Sequence, residues 1–357
     1  MEILDRDGLN HLVDSLLATG HRVIGPTVRD SAIVLDELSG GAQLPDGWGV
    51  EVAPGSYRLR RREDMAVFAH SAGPQSWKQF VHPARRKLWQ TDRDGEYVPA
   101  EEDRTPLAFL GVRGCDLAAL GILGQVLGDG PRPLVIAANC TEPGGLCFCS
   151  SMGTGPAAGP GYDLVLTELL DPHRFLVEVG TPRGARALLP VPRRSARGPE
   201  VASARSQVAS ATGRMGRAMP EVDLRTLLRD SSAAERWNDV AQRCLTCGNC
   251  TMVCPTCFCT STEDVTDLTG QHAERWQHWV SCFEIDFSHL HGGSVRTSAA
   301  SRYRQWLTHK LSSWYDQFGS SGCVGCGRCI GWCPVGIDIT EEAAALAAER
   351  SGSDARA

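Results

Sequence analysis

No cysteine precedes Cys115 in this chain of 357 residues, and the fifteen cysteines, Cys115 included, are clustered. Clustering of that kind argues against a disulfide framework of the secreted type. It points instead to thiols kept reduced, in a reducing, cytoplasmic compartment. No apolar run approaches about 18 residues, so no membrane span is expected. Met1-Glu-Ile-Leu-Asp-Arg-Asp has neither a basic n-region nor an apolar h-region, so no secretory signal is visible. An excess of positive charge is also missing. The net charge of −6 argues against nucleic acid as the main partner. The chain has no dinucleotide fingerprint and no P-loop Lys-Ser/Thr. It shows no acid–base–nucleophile set, so no catalytic residue is assigned. Apolar content is ordinary, and the length suggests two domains or three.

What is present dominates the C-terminal third. Cys244-Leu-Thr-Cys247-Gly-Asn-Cys250-Thr-Met-Val-Cys254-Pro255 and Cys323-Val-Gly-Cys326-Gly-Arg-Cys329-Ile-Gly-Trp-Cys333-Pro334 both read C-x2-C-x2-C-x3-C-P. That run ligates [4Fe–4S] clusters in two-cluster ferredoxins. Three cysteines two residues apart wrap a tight loop around one cluster face. Gly248 and Gly327 let the loop turn where a side chain would clash. The fourth cysteine lies about one helical turn on and usually ligates the other cluster. The expected sets are therefore Cys244, Cys247, Cys250 with Cys333, and Cys323, Cys326, Cys329 with Cys254. Straight ligation, four cysteines from one run, is the open alternative. A pair of zinc knuckles is the competing reading, but zinc sites need no fourth cysteine followed by proline. Backbone N–H groups around Gly248, Gly325 and Gly327 are expected donors to the sulfurs, with Arg328 adding positive charge beside the second cluster.

Upstream, residues 3–19 carry leucines at helical spacing and stop at Gly20. Arg22-Val-Ile-Gly, Ala32-Ile-Val-Leu and Tyr57-Arg-Leu-Arg read as strands between turns. Residues 75–90 hold too few periodic positions to assign; Trp77 and Phe80 there suit a core. Leu107-Ala-Phe-Leu-Gly-Val112, a helix over 116–127 and Leu134-Val-Ile-Ala-Ala138 form a βαβ unit with parallel strands. Cys115 and Cys140 then follow successive strands, at the carboxyl edge of one sheet. Cys147 and Cys149 come just after, before a Ser150-Ser-Met-Gly-Thr-Gly-Pro156 loop expected to fold close around them. Cys115, Cys140, Cys147 and Cys149 are thus candidate ligands of a third iron–sulfur cluster, against a reading as buried thiols. Tyr162-Asp-Leu-Val-Leu-Thr and Phe175-Leu-Val-Glu-Val form a strand pair turning near Asp171-Pro172.

Residues 181–229 contain ten arginines against three acids, which reads as a linker or docking segment. Ser232-Ala-Ala-Glu-Arg-Trp237 looks like a capped helix start. The stretch between the runs carries Cys257, Cys259 and Cys282, which could bind something further but, with no fourth cysteine apparent, are assigned to packing near the clusters, and a helix over 299–318. The expected fold is α+β. Residues 1–180 form an α/β domain with a partly parallel sheet and 181–230 an arginine-rich linker. Residues 231–345 form an all-α ferredoxin-like dicluster domain and 346–357 a disordered tail.

The segments Gly111-Val-Arg-Gly-Cys-Asp-Leu, Asn139-Cys, Cys254-Pro-Thr-Cys-Phe-Cys, Ser281-Cys-Phe-Glu-Ile-Asp-Phe, His291-Gly-Gly-Ser-Val-Arg and Arg302-Tyr-Arg-Gln-Trp carry a resemblance. The chain resembles the iron–sulfur beta subunit of cytoplasmic NADP-linked nickel–iron hydrogenases, or sulfhydrogenases. It is also similar to the A subunit of anaerobic sulfite reductases. With this resemblance the chain reads as an electron-transfer subunit carrying two [4Fe–4S] clusters, the third remaining the hypothesis drawn above from the converging thiols. The resemblance also implies a partner flavoprotein handling FAD and NAD(P)H, and catalytic nickel–iron small and large subunits or a sulfite reductase subunit. A non-catalytic scaffold is the alternative of another class. Direct sulfur reduction at Cys257, Cys259 and Cys282 is a third.

Overall fold

The computed structural model describes residues 1–71, 73–91, 94–101, 103–128, 130 and 132–354. The first half of the chain runs β1 (Glu2–Leu4), α1 (Arg6–Ala18), β2 (Arg22–Arg29), β3 (Ala32–Leu38), β4 (Trp48–Ala53), β5 (Ser56–Arg61), α2 (Lys78–Val81), β6 (Arg85–Thr91), β7 (Tyr97–Pro99), β8 (Leu107–Arg113), α3 (Gly114–Leu127), β9 (Leu134–Ala138), β10 (Leu164–Leu170) and β11 (His173–Val179). It continues through α4 (Pro182–Leu188), β12 (Arg194–Ser195), α5 (Gly198–Thr212), α6 (Leu224–Asp230), α7 (Arg236–Arg243), α8 (Asn249–Met252), β13 (Thr260–Thr266), β14 (Ala273–Trp279), α9 (Ala299–Thr308), α10 (Trp314–Phe318), α11 (Arg328–Gly331) and α12 (Ile339–Asp354). None of these helices is long and apolar enough to cross a membrane.

The apolar runs become one eight-stranded sheet, ordered β12-β1-β11-β10-β9-β8-β2-β3. Strands β2, β8, β9 and β10 are mutually parallel, and the outer pairs are antiparallel. Side-chain alternation decides the faces. Ala108 and Leu110 join one core with Leu9, Leu12 and Val13 of α1, while Phe109 joins a second core with Trp77 and Leu117. Gly111 interrupts this alternation. It adopts φ +89° at a register shift between β8 and β9, and a Cβ there would stand 2.9 Å from the Phe68 ring. The bulge returns Val112 to the Phe109 face and re-aims Arg113, as β-bulges do. The βαβ reading holds: Cys115 and Cys140 follow parallel neighbours β8 and β9.

Three expected features differ. Residues 181–230 are folded rather than a linker. Ala204 of α5 packs on Ile3, Leu169 and Leu176 of the sheet, and several arginines find acids nearby, among them Arg194 on Glu200 and Arg183 on Asp163. The stretch between the cysteine runs is not all helical. Polar β13 and aromatic β14 form a hairpin, and β14 pairs with β6 from the N-terminal half in a sheet ordered β13-β14-β6-β7. The tail expected to be disordered from 346 is helical through Asp354, because Ala343 and Leu346 are buried in the C-terminal core. Residues 355–357 lie outside the described residues. Two smaller shifts appear in the helices. α7 starts at Arg236 rather than at Ser232, and 299–318 is α9 and α10 joined by a π-turn over His309–Ser313.

Candidate metal centre

Each cysteine run folds as a loop followed by one helical turn. Gly248 (φ +75°) and Gly327 (φ +77°) lead into α8 and α11 in left-handed conformations. The residue before the second cysteine is also left-handed in both runs: Thr246 (φ +52°) and Gly325 (φ +66°). Packing explains why one is threonine and the other glycine. A Cβ on Gly325 would stand 2.6 Å from the Phe148 carbonyl and the Cys149 backbone; one on Gly327 would stand 2.4 Å from the Leu146 carbonyl. The second run therefore lies face-on against residues 146–149. The Phe148 N–H donates to the Gly325 carbonyl at 2.9 Å, and the Thr154 hydroxyl to the Val324 carbonyl at 2.6 Å.

Backbone amides reach the thiols. Thr246 donates to Cys244 Sγ at 3.4 Å, Gly325 to Cys323 Sγ at 3.5 Å and Ile337 to Cys333 Sγ at 3.3 Å. Of the expected donors, Gly325 is one; Thr246 and Ile337 are additions. Cys244, Cys247, Cys250 and Cys333 line one recess, walled by Phe283, Tyr303 and Trp306 and enclosing about 430 Å³ with its open solvent included. Cys329 reaches the same recess. Cys254 lies instead in the electrostatic neighbourhood of Cys323, Cys326 and Cys329. Burial pushes the Cys323 and Cys326 thiols up to about 12. Such thiols keep their protons when empty, and metal loading releases them.

The third candidate set also converges. The Cys115 thiol hydrogen-bonds Cys149, and Cys147 has Cys115, Cys140 and Cys326 around it. Arg113, on the strand end re-aimed by Gly111, donates to Cys140 Sγ at 3.2 Å and to the Phe68 and His70 carbonyls. The Ser150–Pro156 loop does fold around this group: Thr154 N–H donates to the Cys149 carbonyl, and a Cβ on Gly155 would stand 2.7 Å from Cys149 Sγ. Among the described residues no three Cys, His, Asp or Glu side chains converge on one point tightly enough for a single metal ion. The first set instead lines the open recess described above.

Several residues escaped the sequence reading. Arg328 is not a free positive charge: it is buried and bonded to buried Asp116 at 2.7 Å. Met215 brings its thioether to 3.8 Å from Cys149 Sγ. Lys310 is 4% exposed, with its ammonium 2.9 Å from Thr256 Oγ1 and among Cys254, Cys257, Cys259 and Cys323. Burial alone would lower its pKa, but those sulfurs outweigh it and raise it. One signal was available. Lys310 falls on the apolar stripe Tyr303, Trp306, Leu307, Leu311 and Trp314, where a charge has no place without a partner.

Residues 243–337 match the family described as the 4Fe-4S dicluster domain. The chain is 29% identical over 337 residues to the sulfhydrogenase 2 subunit beta of Pyrococcus furiosus, covering 89% of this chain and 90% of that one. No solved structure matches. The thiol recess, the paired runs and these likenesses agree: over most of its length the chain is similar to a sulfhydrogenase subunit beta, and its residues 243–337 match the 4Fe-4S dicluster domain.

Proposed function

We propose that the chain is an electron-transfer subunit of a soluble, NAD(P)-linked nickel–iron hydrogenase complex. In this reading it passes single electrons between a flavin- and NAD(P)-binding partner and the nickel–iron small and large subunits. One [4Fe–4S] cluster is held by Cys244, Cys247, Cys250 and Cys333, and another by Cys323, Cys326, Cys329 and Cys254. A third is held by Cys115, Cys140, Cys147 and Cys149. The bound clusters supply one-electron exchange. The chain's own residues set the conditions: the Thr246, Gly325 and Ile337 amides donate to the ligand sulfurs, and Phe283, Tyr303 and Trp306 wall the recess with apolar surface.

The observation that carries the reading is the continuity of the thiol groups. Cys329 reaches the recess of the first set, and Cys115 lies beside Cys326 of the second. Three sulfur groups thus form one uninterrupted series through the protein. Grouping of Cys333 with the first run supports crossed ligation. The relative is a subunit beta by name, which supports a place in a multi-subunit assembly.

Cys247→Ser tests this. The variant is expected to lose about four iron atoms per chain. In the assembled complex it should also lose electron transfer between NADPH and an artificial acceptor. Unchanged turnover would remove this cluster from the path. A redox titration followed by EPR separates transport from scaffolding, since clusters that never change oxidation state carry no electrons.

A further inference from the structure

Three thiols remain outside these sets, and they are not scattered. Cys257 is buried and its thiol contacts Cys254; the Cys259 thiol contacts Cys282. The hairpin brings the last two together: the Val280 N–H donates to the Cys259 carbonyl at 3.1 Å, continuing the β13–β14 ladder toward Cys282. Two buried ammonium groups border the same spot. Lys78, 2% exposed, donates to the Cys257 carbonyl at 3.1 Å and lies 3.7 Å over the Trp279 ring; Lys310 donates to Thr256 beside it. Among the described residues these ammonium groups meet a carbonyl, a hydroxyl, ring faces and sulfurs, with no carboxylate among them. The polar atoms His82 Nε2, Trp279 Nε1 and Trp314 Nε1 are buried nearby with no hydrogen-bond partner.

We propose that Cys257, Cys259 and Cys282 ligate a further iron–sulfur cluster, with Lys78 and Lys310 as its buried counter-charges. The charge balance favours this over two simpler readings. Three neutral thiols, or a Cys259–Cys282 disulfide with one thiol spare, add no negative charge where two buried ammonium groups meet, and leave both to the second run's cluster through Cys254. A thiolate-bound cluster is anionic, and its sulfides accept hydrogen bonds from donors such as the orphaned indole and imidazole N–H groups. Cys254, the remaining thiol in contact, belongs to the set of the second run. One iron is therefore left without a cysteine, open to a small anionic or thiolate ligand from solution. The site is distinct from the three sets above and adjoins the second through the Cys254–Cys257 contact.

The proposal rests on the chain being a cluster carrier, and the test separates the two. Iron and acid-labile sulfide are measured on the full chain made anaerobically, as wild type, Cys247→Ser and Cys259→Ser/Cys282→Ser. The double variant is expected to lose about four irons and four sulfides per chain. If Cys247→Ser loses iron and the double variant does not, the further cluster is refuted and the carrier reading stands. If neither loses iron, both fall. Should the double variant fail to fold, alkylation of native wild-type holoprotein decides. Cys257, Cys259 and Cys282 should resist maleimide until a chelator strips the iron. Labelling of these three at full iron content, or recovery of a Cys259–Cys282 disulfide, overturns the proposal.

Discussion

Arg328 and Asp116 sit far apart in sequence, and each is almost fully buried in the other's company at 2.7 Å. The Arg328 guanidinium also donates to the Gly73 and Gln75 carbonyls, so its donors are largely used. Removing one charge leaves the other stranded, which costs about 3–5 kcal/mol. Arg328→Met should lower the unfolding free energy by that amount in a urea titration, and Arg328→Met with Asp116→Leu should recover most of it. A single-variant effect below about 1 kcal/mol would mean the pair is screened as surface pairs are. Gly325 makes a second residue-scale prediction. Gly325→Ala should cost about 1–2 kcal/mol in left-handed strain, with the clash against residues 148–149 in addition. The same urea titration on Thr246→Ala should show less than half that loss, since a Cβ is already accommodated at that position. The cysteine runs announce their loops by spacing, and Arg328 was legible as a charge near sulfur. Its neutralisation was not, because nothing local to Gly-Arg-Cys encodes an aspartate beside a different cysteine.

At the scale of elements, the sequence is clearest where burial is two-sided. Leu107–Arg113 and Leu134–Ala138 are continuous apolar runs, and they fold as the parallel centre of the sheet. Signals fade where one face is polar. Thr-Ser-Thr-Glu-Asp-Val-Thr of β13 is exposed along most of its length, and its pairing is held by backbone and by pairs such as Arg275 with Asp264. Residues 181–230 misled for a related reason. Their arginines cluster in sequence, but several answer acids placed by the fold, as Arg217 does Asp338, and others cap backbone carbonyls, as Arg193 and Arg214 do. Lys87 on β6 reaches Glu274 on β14 at 2.5 Å, so the two strands should open as one unit. Replacing residues 260–279 by a short Gly-Ser loop should therefore abolish hydrogen-exchange protection of the amides at 85–91 while leaving β8 and β9 protected. Protection retained at 85–91 would show that β6 is stabilised without the hairpin.

For the molecule as a whole, acid should be destabilising through a specific histidine. Burial, then the Arg113 charge, pushes His70 down to about 3 from 6.5. Unfolded chains take up that proton below 6.5 and the folded chain does not, so this stabilisation is complete above 6.5 and is lost as pH falls toward 3. Comparing urea midpoints at about pH 7 and about pH 5 should show a steeper fall for wild type than for His70→Asn. Equal slopes would place the acid sensitivity elsewhere. The pairing of β6 with β14 has a consequence for how the protein is made. On the ribosome β6 emerges long before the hairpin it pairs with, and residues 146–149 long before the second cysteine loop they support. An early-released N-terminal half would expose an unpaired strand edge and an unfilled thiol surface, so a newly made chain needs protection, and iron delivery to the second loop belongs after synthesis is complete.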